Sequence, residues 1–235
     1  MNYALILAGG SGTRMGNTGI PKQFLTINDK PILIYALENT LACKKIDKVV
    51  LVCKPDYISY AHNLLFEYEL ANSIVMTEGG TSRLDSVLNG LNFINEKYDV
   101  KDDDIFIVND SVRIFTSQRI YEECLDNAKT HDGASTVYHL EETVSETNED
   151  GLLFHNYPRE NHYSVQSPQA FKIKGFLDAV SKLSDEQRAK LTDLAEAFYN
   201  INKPVYPVIG EKDNIKITTP FDIELATKKL EKKNK

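Results

Sequence analysis

The sequence predicts an α/β fold, a doubly wound, mostly parallel sheet with helices on both faces and a protruding β-arm. Three observations predict it. Short apolar runs alternate with stretches of helical spacing from the first residues onward. The runs are continuous rather than alternating, as in strands buried on both faces. One polar stretch, residues 138–164, breaks the rhythm and carries a hairpin signal.

Tyr3-Ala4-Leu5-Ile6-Leu7-Ala8 reads as the first buried strand, ending in Gly9-Gly10. Residues 31–41 are helical, with Ile34, Leu37 and Leu41 on one face. Residues 48–53 form a second strand, 57–70 a helix, 73–77 a third strand, and 83–95 a helix carrying Val87, Leu88, Leu91 and Ile94. Residues 104–109 form a fourth strand, Ser117 caps a helix running to His131, and Ala134 opens a fifth strand. After the arm, helices are expected over 175–183 and 191–200, with a short strand over 205–209. Pro220, well suited to a first helical turn, opens the closing helix over 220–232. The whole of 1–235 is expected to form one domain.

Strand–helix alternation implies right-handed crossovers, and such sheets bind ligands outside the carboxyl ends of their strands. The informative loops should therefore follow strands one, three and four. In the arm, Asn148-Glu149-Asp150-Gly151 is the turn. An appendage with so little core of its own is expected to pack on a second copy, giving a homodimer.

Composition narrows the function. With 42% hydrophobic and 26% charged residues the chain is an ordinary globular one. No apolar run approaches the roughly 20 residues of a bilayer span, and the start lacks a basic leader region. No membrane association and a cytoplasmic location are expected. Cys43, Cys53 and Cys124 lack ligand spacing and read as core thiols of a reducing compartment. A net charge of −7 argues against nucleic acid as a partner. It leaves room for a phosphate-bearing small substrate, which needs only a local cluster of cations. The basic tail over 228–235 reads as a solvated helix end.

Four segments carry chemistry. The first loop, Gly9-Gly10-Ser11-Gly12-Thr13-Arg14, continues to Pro21-Lys22-Gln23. Bare glycine backbone lets amides approach a phosphate chain, and Arg14 and Lys22 can reach triphosphate oxygens. It is neither a P-loop nor a dinucleotide fingerprint, because the required glycine and lysine spacings are missing. The second, Glu78-Gly79-Gly80-Thr81-Ser82-Arg83, reads equally as a place where backbone meets a base edge or as a plain strand–helix turn capped by Ser82. The third is Asn109-Asp110-Ser111-Val112-Arg113. Asp110 at the end of a buried strand needs a partner, and a divalent cation bridging phosphates would serve; a turn-capping role is the alternative. The fourth places Lys216 between Ile215 and Ile217 in a strand-like run.

Together these motifs resemble the cytidylyltransferase family that includes the methylerythritol-phosphate and ribitol-5-phosphate enzymes, over nearly the whole chain. The motifs are Leu-Ala-Gly-Gly-x-Gly-x-Arg-Met with Pro-Lys-Gln, Gly-Gly-x-x-Arg-x-x-Ser-Val, Asp-x-x-Arg, a Pro-Gln pair and Asn-Ile-Lys-Ile-Thr. The resemblance implies CMP transfer from CTP to a polyol phosphate with Mg²⁺, in a homodimer whose arm completes the partner's site. It implies that Leu7, Ala8, Gly9, Gly10, Gly80, Thr81, Arg83, Ser86 and Val112 bind CTP. Arg14 and Lys22 match transition-state stabilisers, with Lys216 beside them. Asp110 matches the acid near metal and acceptor, Thr192 and Lys216 match acceptor-positioning residues, and Arg113 is expected to bind substrate. Arg159 and Ser167 match positions that hold the acceptor phosphate from the partner's arm. Asn109, where the family usually has His, and Ile114, where it usually has Pro, are expected beside the acceptor pocket. Asp-Ser-Val-Arg, Gln166 and Ile217-Thr218-Thr219 lean towards the ribitol branch, and so to CDP-ribitol as product. Retention of Arg14, Lys22 and Lys216 together counts against a non-catalytic binding homologue.

Overall fold

A computed structural model describes residues 1–10, 13–16 and 19–233. Ser11 and Gly12 of the first loop, and Asn234 and Lys235 of the tail, lie outside the described residues.

In chain order the first elements are β1 (Asn2–Ala8), a ribbon of β2 (Thr26–Ile27) and β3 (Lys30–Pro31), α1 (Ile32–Leu41), β4 (Lys48–Cys53) and α2 (Ile58–Glu67). Then come β5 (Ile74–Glu78), α3 (Arg83–Lys97), β6 (Ile105–Asp110), α4 (Gln118–His131) and β7 (Gly133–His139). The arm hairpin is β8 (Val144–Thr147) and β9 (Leu153–Tyr157). The chain ends with β10 (Tyr163–Lys172), α5 (Ile173–Ser181), α6 (Asp185–Lys190), α7 (Glu196–Tyr199), β11 (Tyr206–Ile209) and α8 (Pro220–Lys233).

Seven strands form one sheet in the order β11-β7-β10-β6-β1-β4-β5. β6, β1, β4 and β5 run parallel, and β10 is antiparallel to both β6 and β7. The sheet is thus mostly parallel, as expected. The sequence reading missed β10. Pro168 and the polar run Gln166 to Gln169 hide it, and a register shift between Val165 and Gln169 is what lets a proline sit inside a sheet. It also missed α6, whose sequence DEQRAK has no apolar face and whose start rests on a capping box between Ser184 and Gln187. The helix expected over 191–200 shrinks to α7, because Leu191, Thr192 and Asp193 form the connecting loop.

The period-two alternation of each strand sorts its residues between two cores. Ala4, Ile6, Ile105 and Ile107 join Leu37, Leu65 and Tyr121 under α1, α2 and α4. Tyr3, Leu5, Phe106 and Val108 join Val87, Leu91 and Phe176 under α3 and α5. Carried to the end of β6, this alternation aims Asp110 at the α3 side and Asn109 at the α4 side. A third cluster, including Ile27, Ile32, Val112, Ile114, Ile217 and Ala226, seats α8 beside α1. The arm stands apart, with Leu152, Leu153 and Phe154 all more than 60% exposed at 65%, 74% and 62%. Among the described residues no helix is long and apolar enough to cross a membrane.

Candidate active site

A cavity of about 380 Å³ opens at the carboxyl ends of β1, β5 and β6, where the sheet topology places it. Leu7, Gly9, Gly10 and Arg14 form one wall. Ala8 lies beneath that wall, and its carbonyl accepts a hydrogen bond from Gln23 Nε2 at 2.7 Å. This buried bond folds the Lys22–Phe24 turn back onto the first loop and sets Lys22, only 8% exposed, into the cavity lining. A β-carbon at Gly10 would meet nothing within 4 Å, so bare backbone faces open space there.

The second loop is pinned by the start of α3. Ser82 and Asp85 form a reciprocal capping box, with both bonds at 3.0 Å. Ser86 Oγ accepts from the Gly80 amide at 3.1 Å and donates to the Ser82 carbonyl at 2.9 Å. A β-carbon at Gly80 would lie 2.2 Å from that of Asp85, so only glycine permits this turn. Gly80, Thr81, Arg83 and Ser86 thereby face the cavity.

Asp110 sits at the floor. Its carboxylate is 2.5 Å from Arg83 Nη1, 2.9 Å from Lys216 Nζ and 3.8 Å from Arg113 Nε. Burial alone would raise the Asp110 pKa. The surrounding cations overrule it and hold the carboxyl well below the usual range. The segment bearing Lys216 is a loop rather than the strand-like run expected, and Ile217 N donating to Val112 O at 3.0 Å docks it on the third loop. The lining thus sets Arg14, Lys22, Arg83 and Lys216 against one carboxylate, in a chain of net charge −7. Burial, and then the nearby Lys216 and Arg14, lower the pKa of Lys22. Such a site is built to receive a polyanion.

The family model for 2-C-methyl-D-erythritol 4-phosphate cytidylyltransferase (IspD) matches residues 3–232. The chain belongs to this family. It is a CTP-dependent nucleotidyltransferase. A ribitol-5-phosphate cytidylyltransferase of Lactiplantibacillus plantarum is 36% identical over 235 residues, covering all of both chains. Two solved structures share the fold. The 4-diphosphocytidyl-2C-methyl-D-erythritol synthase of Anaerococcus prevotii has a TM-score of 0.81 at 26% identity, covering 98% of this chain and 96% of that one. The 2-C-methyl-D-erythritol 4-phosphate cytidylyltransferase of Francisella tularensis has a TM-score of 0.78 at 28% identity, covering 96% and 97%.

Within this cytidylyltransferase several expected site residues lie off the cavity. Arg113 turns its buried guanidinium to the carbonyl of Asn214. Ser167 is not on the arm: it lies on β10 inside the sheet, buried, with its hydroxyl donated to Asn109 Oδ1 at 2.7 Å. Arg159 is on the arm, exposed, donating to the Glu141 carbonyl at 3.2 Å. Thr192 donates to Glu196 Oε1 at 2.5 Å at the start of α7. Asn109 and Ile114 also lie off the cavity. Strand alternation turns Asn109 towards Tyr121 of α4, and Ile114 packs in the cluster beneath α8, so neither side chain lines the cavity.

Three lining residues, Gln23, Ser82 and Thr218, had no assigned place in the site. The Pro-Lys-Gln motif held the signal for Gln23. Thr218 follows Lys216 by two residues, the spacing that keeps side chains on one side of an extended segment.

Among the described residues no three His, Cys, Asp or Glu side chains gather as a metal cage. Asp110 alone fits a Mg²⁺ ion that takes its other ligands from phosphates and water. It does not fit an ion held by the protein in the absence of nucleotide.

Proposed function

We propose that this enzyme transfers CMP from CTP to D-ribitol 5-phosphate, giving CDP-ribitol and pyrophosphate, as a cytoplasmic homodimer. The observation that carries the acceptor is the full-length relative at 36% identity, a ribitol-5-phosphate cytidylyltransferase, against 26% and 28% for the two methylerythritol-phosphate structures. Ser111 supports it by lining the cavity with a hydroxyl suited to a polyol.

The acceptor's phosphate oxygen attacks the α-phosphorus of CTP in line, and pyrophosphate leaves. The attacking oxygen is already an anion at neutral pH, so no general base is needed. Catalysis is positioning plus neutralisation of developing charge. Leu7, Gly9 and Gly10 present backbone to the triphosphate with Ala8 supporting them from beneath, and Arg14 and Lys22 stabilise charge on the departing phosphates. Lys216, beside Asp110, orients the attacking phosphate. Mg²⁺ brought in with CTP and met by Asp110 would supply further charge neutralisation. The amides of Gly79 and Gly80 are engaged by Cys53 O at 2.7 Å and Ser86 Oγ at 3.1 Å. Main-chain reading of a base there falls to carbonyl oxygens, acceptors that suit the amino group of cytosine.

The acceptor is tested by competition. Ribitol 5-phosphate and 2-C-methylerythritol 4-phosphate are supplied at equal concentration with CTP and Mg²⁺, and the CDP product is identified. CDP-ribitol is expected to predominate, because a site built to bond a hydroxyl rejects analogues that leave its polar groups unpaired. Predominance of CDP-methylerythritol would overturn the acceptor and leave the cytidylyltransferase intact.

The homodimer reading rests on the arm. Its exposed Leu152, Leu153 and Phe154 lack cover in the chain itself, and Arg159 at its base carries a cation that its own cavity does not use. Sedimentation at micromolar concentration is expected to show a dimer that a Leu153→Glu, Phe154→Glu variant converts to monomer. A monomeric wild-type protein sinks this part of the reading.

A further inference from the structure

Behind Asp110, on the side away from the cavity, four polar side chains are buried together. Asn109, Thr116, Ser167 and Asn214 are 1%, 1%, 3% and 0% exposed. They come from the end of β6, the loop before α4, the bulge of β10, and the loop that leads to Lys216. Their hydrogen bonds close a ring. Asn214 Nδ2 donates to the Ser167 carbonyl at 2.8 Å, and Ser167 Oγ donates to Asn109 Oδ1 at 2.7 Å. Asn109 Nδ2 donates to Thr116 Oγ1 at 3.3 Å, and Thr116 Oγ1 donates to Asn214 Oδ1 at 3.0 Å, with the Arg113 carbonyl a second, longer acceptor for the same hydroxyl at 3.3 Å.

Every member of the ring donates in the same sense. The sense is fixed from outside the ring. Thr40 Oγ1 donates to the Ala36 carbonyl at 2.8 Å, so Tyr121 must donate its hydroxyl to Thr40 at 3.0 Å and accept from Asn109 Nδ2 at 2.7 Å. That chain sets which way the Asn109 amide points. Head-to-tail hydrogen bonds polarise one another in a low-dielectric interior, and a half-satisfied network there would be costly.

Three charged residues hang on this ring. The Asp110 amide donates to Asn109 Oδ1 at 3.0 Å and to Ser167 Oγ at 3.3 Å, which fixes where the strand ends and the carboxylate begins. The Arg113 guanidinium donates to the Asn214 carbonyl. Lys216 follows Asn214 by two residues and meets Asp110 at 2.9 Å. None of the four ring side chains lines the cavity.

We propose that the Asn109–Thr116–Asn214–Ser167 ring is the positioning device of this active site, registering Asp110, Arg113 and Lys216 against one another so that Lys216 presents its charge to the acceptor phosphate. The four are positioning residues, since their side chains lie outside the cavity lining. The proposal rests on the cytidylyltransferase reading, and Thr116 is its most discriminating member. Its single hydroxyl closes two of the ring's bonds, and it lies outside the cavity.

The test compares Thr116→Val, which keeps the shape and removes the hydroxyl, with Thr116→Ser, which keeps the hydroxyl. CTP-dependent pyrophosphate release and thermal melting are measured for each. Thr116→Val is expected to lower kcat by tenfold or more with the KM for CTP within about twofold, because a small misplacement of a reacting group costs rate at large factors while ground-state binding persists. Thr116→Ser is expected to return kcat to near wild type. Three results would overturn the proposal. One is wild-type kcat in a folded Thr116→Val protein, another is a loss confined to melting temperature, and the third is equal damage from both variants. Should Thr116→Val not fold, Asn109→Ser serves, since its hydroxyl is too short to span from Ser167 to Thr116, and the same split between kcat and KM is expected. A wild-type protein without CTP-dependent release would instead refute the activity, a result separate from any of these.

Discussion

Lys22→Ala is expected to lower kcat by on the order of a hundredfold or more, a loss of about 3 kcal/mol of transition-state stabilisation, while the KM for CTP rises far less. The reason is where the ammonium sits. Lys22 is 8% exposed, on a turn that Gln23 anchors to the first loop, so its charge acts through little intervening water. Charge builds on the bridging and terminal oxygens of the pyrophosphate only as the α-phosphorus bond breaks, so a cation aimed there acts mainly in the transition state. Arg14→Ala should show the same split between kcat and KM. Its side chain is exposed, and water can partly take its place, so the loss should be smaller.

The depressed pKa of Lys22 gives this assignment a pH signature. Burial, Lys216 and Arg14 all favour the neutral amine. The cationic form is the active one, and raising the pH removes it, so kcat/KM should fall on the alkaline side at a lower pH than for an ordinary lysine. Lys22→Arg, whose guanidinium keeps its proton, should move that limb upward. Unchanged turnover in Lys22→Ala, or an alkaline limb that Lys22→Arg leaves in place, would show that the charge at the leaving group comes from elsewhere.

The loops that form the cavity were legible because each follows an apolar run too continuous to be anything but a buried strand. Glycine pairs and cations then mark where bare backbone meets anions. The parts that were hidden are long-range. Nothing local in Lys-Asp-Asn-Ile-Lys shows that Asn214 is fully buried while its neighbours Lys212 and Asp213 face solvent. Only the family resemblance ties Ser167 to the arm; Pro168 disguises β10 as loop, and a strand hidden at its bulge cannot be aligned with β6. At Asp110 the sequence shows a carboxylate at a strand end that needs a partner, without showing which side chains surround it. Its partners come from α3, the following turn and the loop before α8, and only the folded chain sets Arg83, Arg113 and Lys216 around one carboxylate. Strand alternation could have settled one point in advance. Consecutive residues at the end of β6 face opposite layers, so of Asn109 and Asp110 only one side chain can face the cavity.

Asp110→Asn should separate what this carboxylate does for the fold from what it does for the reaction. The change keeps the shape and removes the charge. At neutral pH we expect a loss of about 3 kcal/mol in denaturant unfolding, the magnitude typical when one partner of a buried ion pair is removed. Arg83, closest to the carboxylate at 2.5 Å and 31% exposed, and Arg113, 10% exposed like Asp110, account for most of it, since both are left beside a neutral amide. The Lys216 pair contributes little to the fold, because at 40% exposure water screens that lysine. The sign of the pH dependence follows from the depressed carboxyl. A group whose folded pKa lies below its unfolded value of about 3.9 stabilises the fold above that value and stops doing so as the pH falls through the folded one. The stability gap between wild type and Asp110→Asn should therefore be widest near neutrality and narrow below about pH 4. In the reaction the same carboxylate competes with phosphate for Arg83 and Lys216. Its removal should leave the KM for CTP unchanged or lower while kcat falls, because cations freed from Asp110 can grip the ground-state triphosphate but are no longer registered for transfer. A higher KM at wild-type kcat would reverse this assignment and make Asp110 a ground-state binding group.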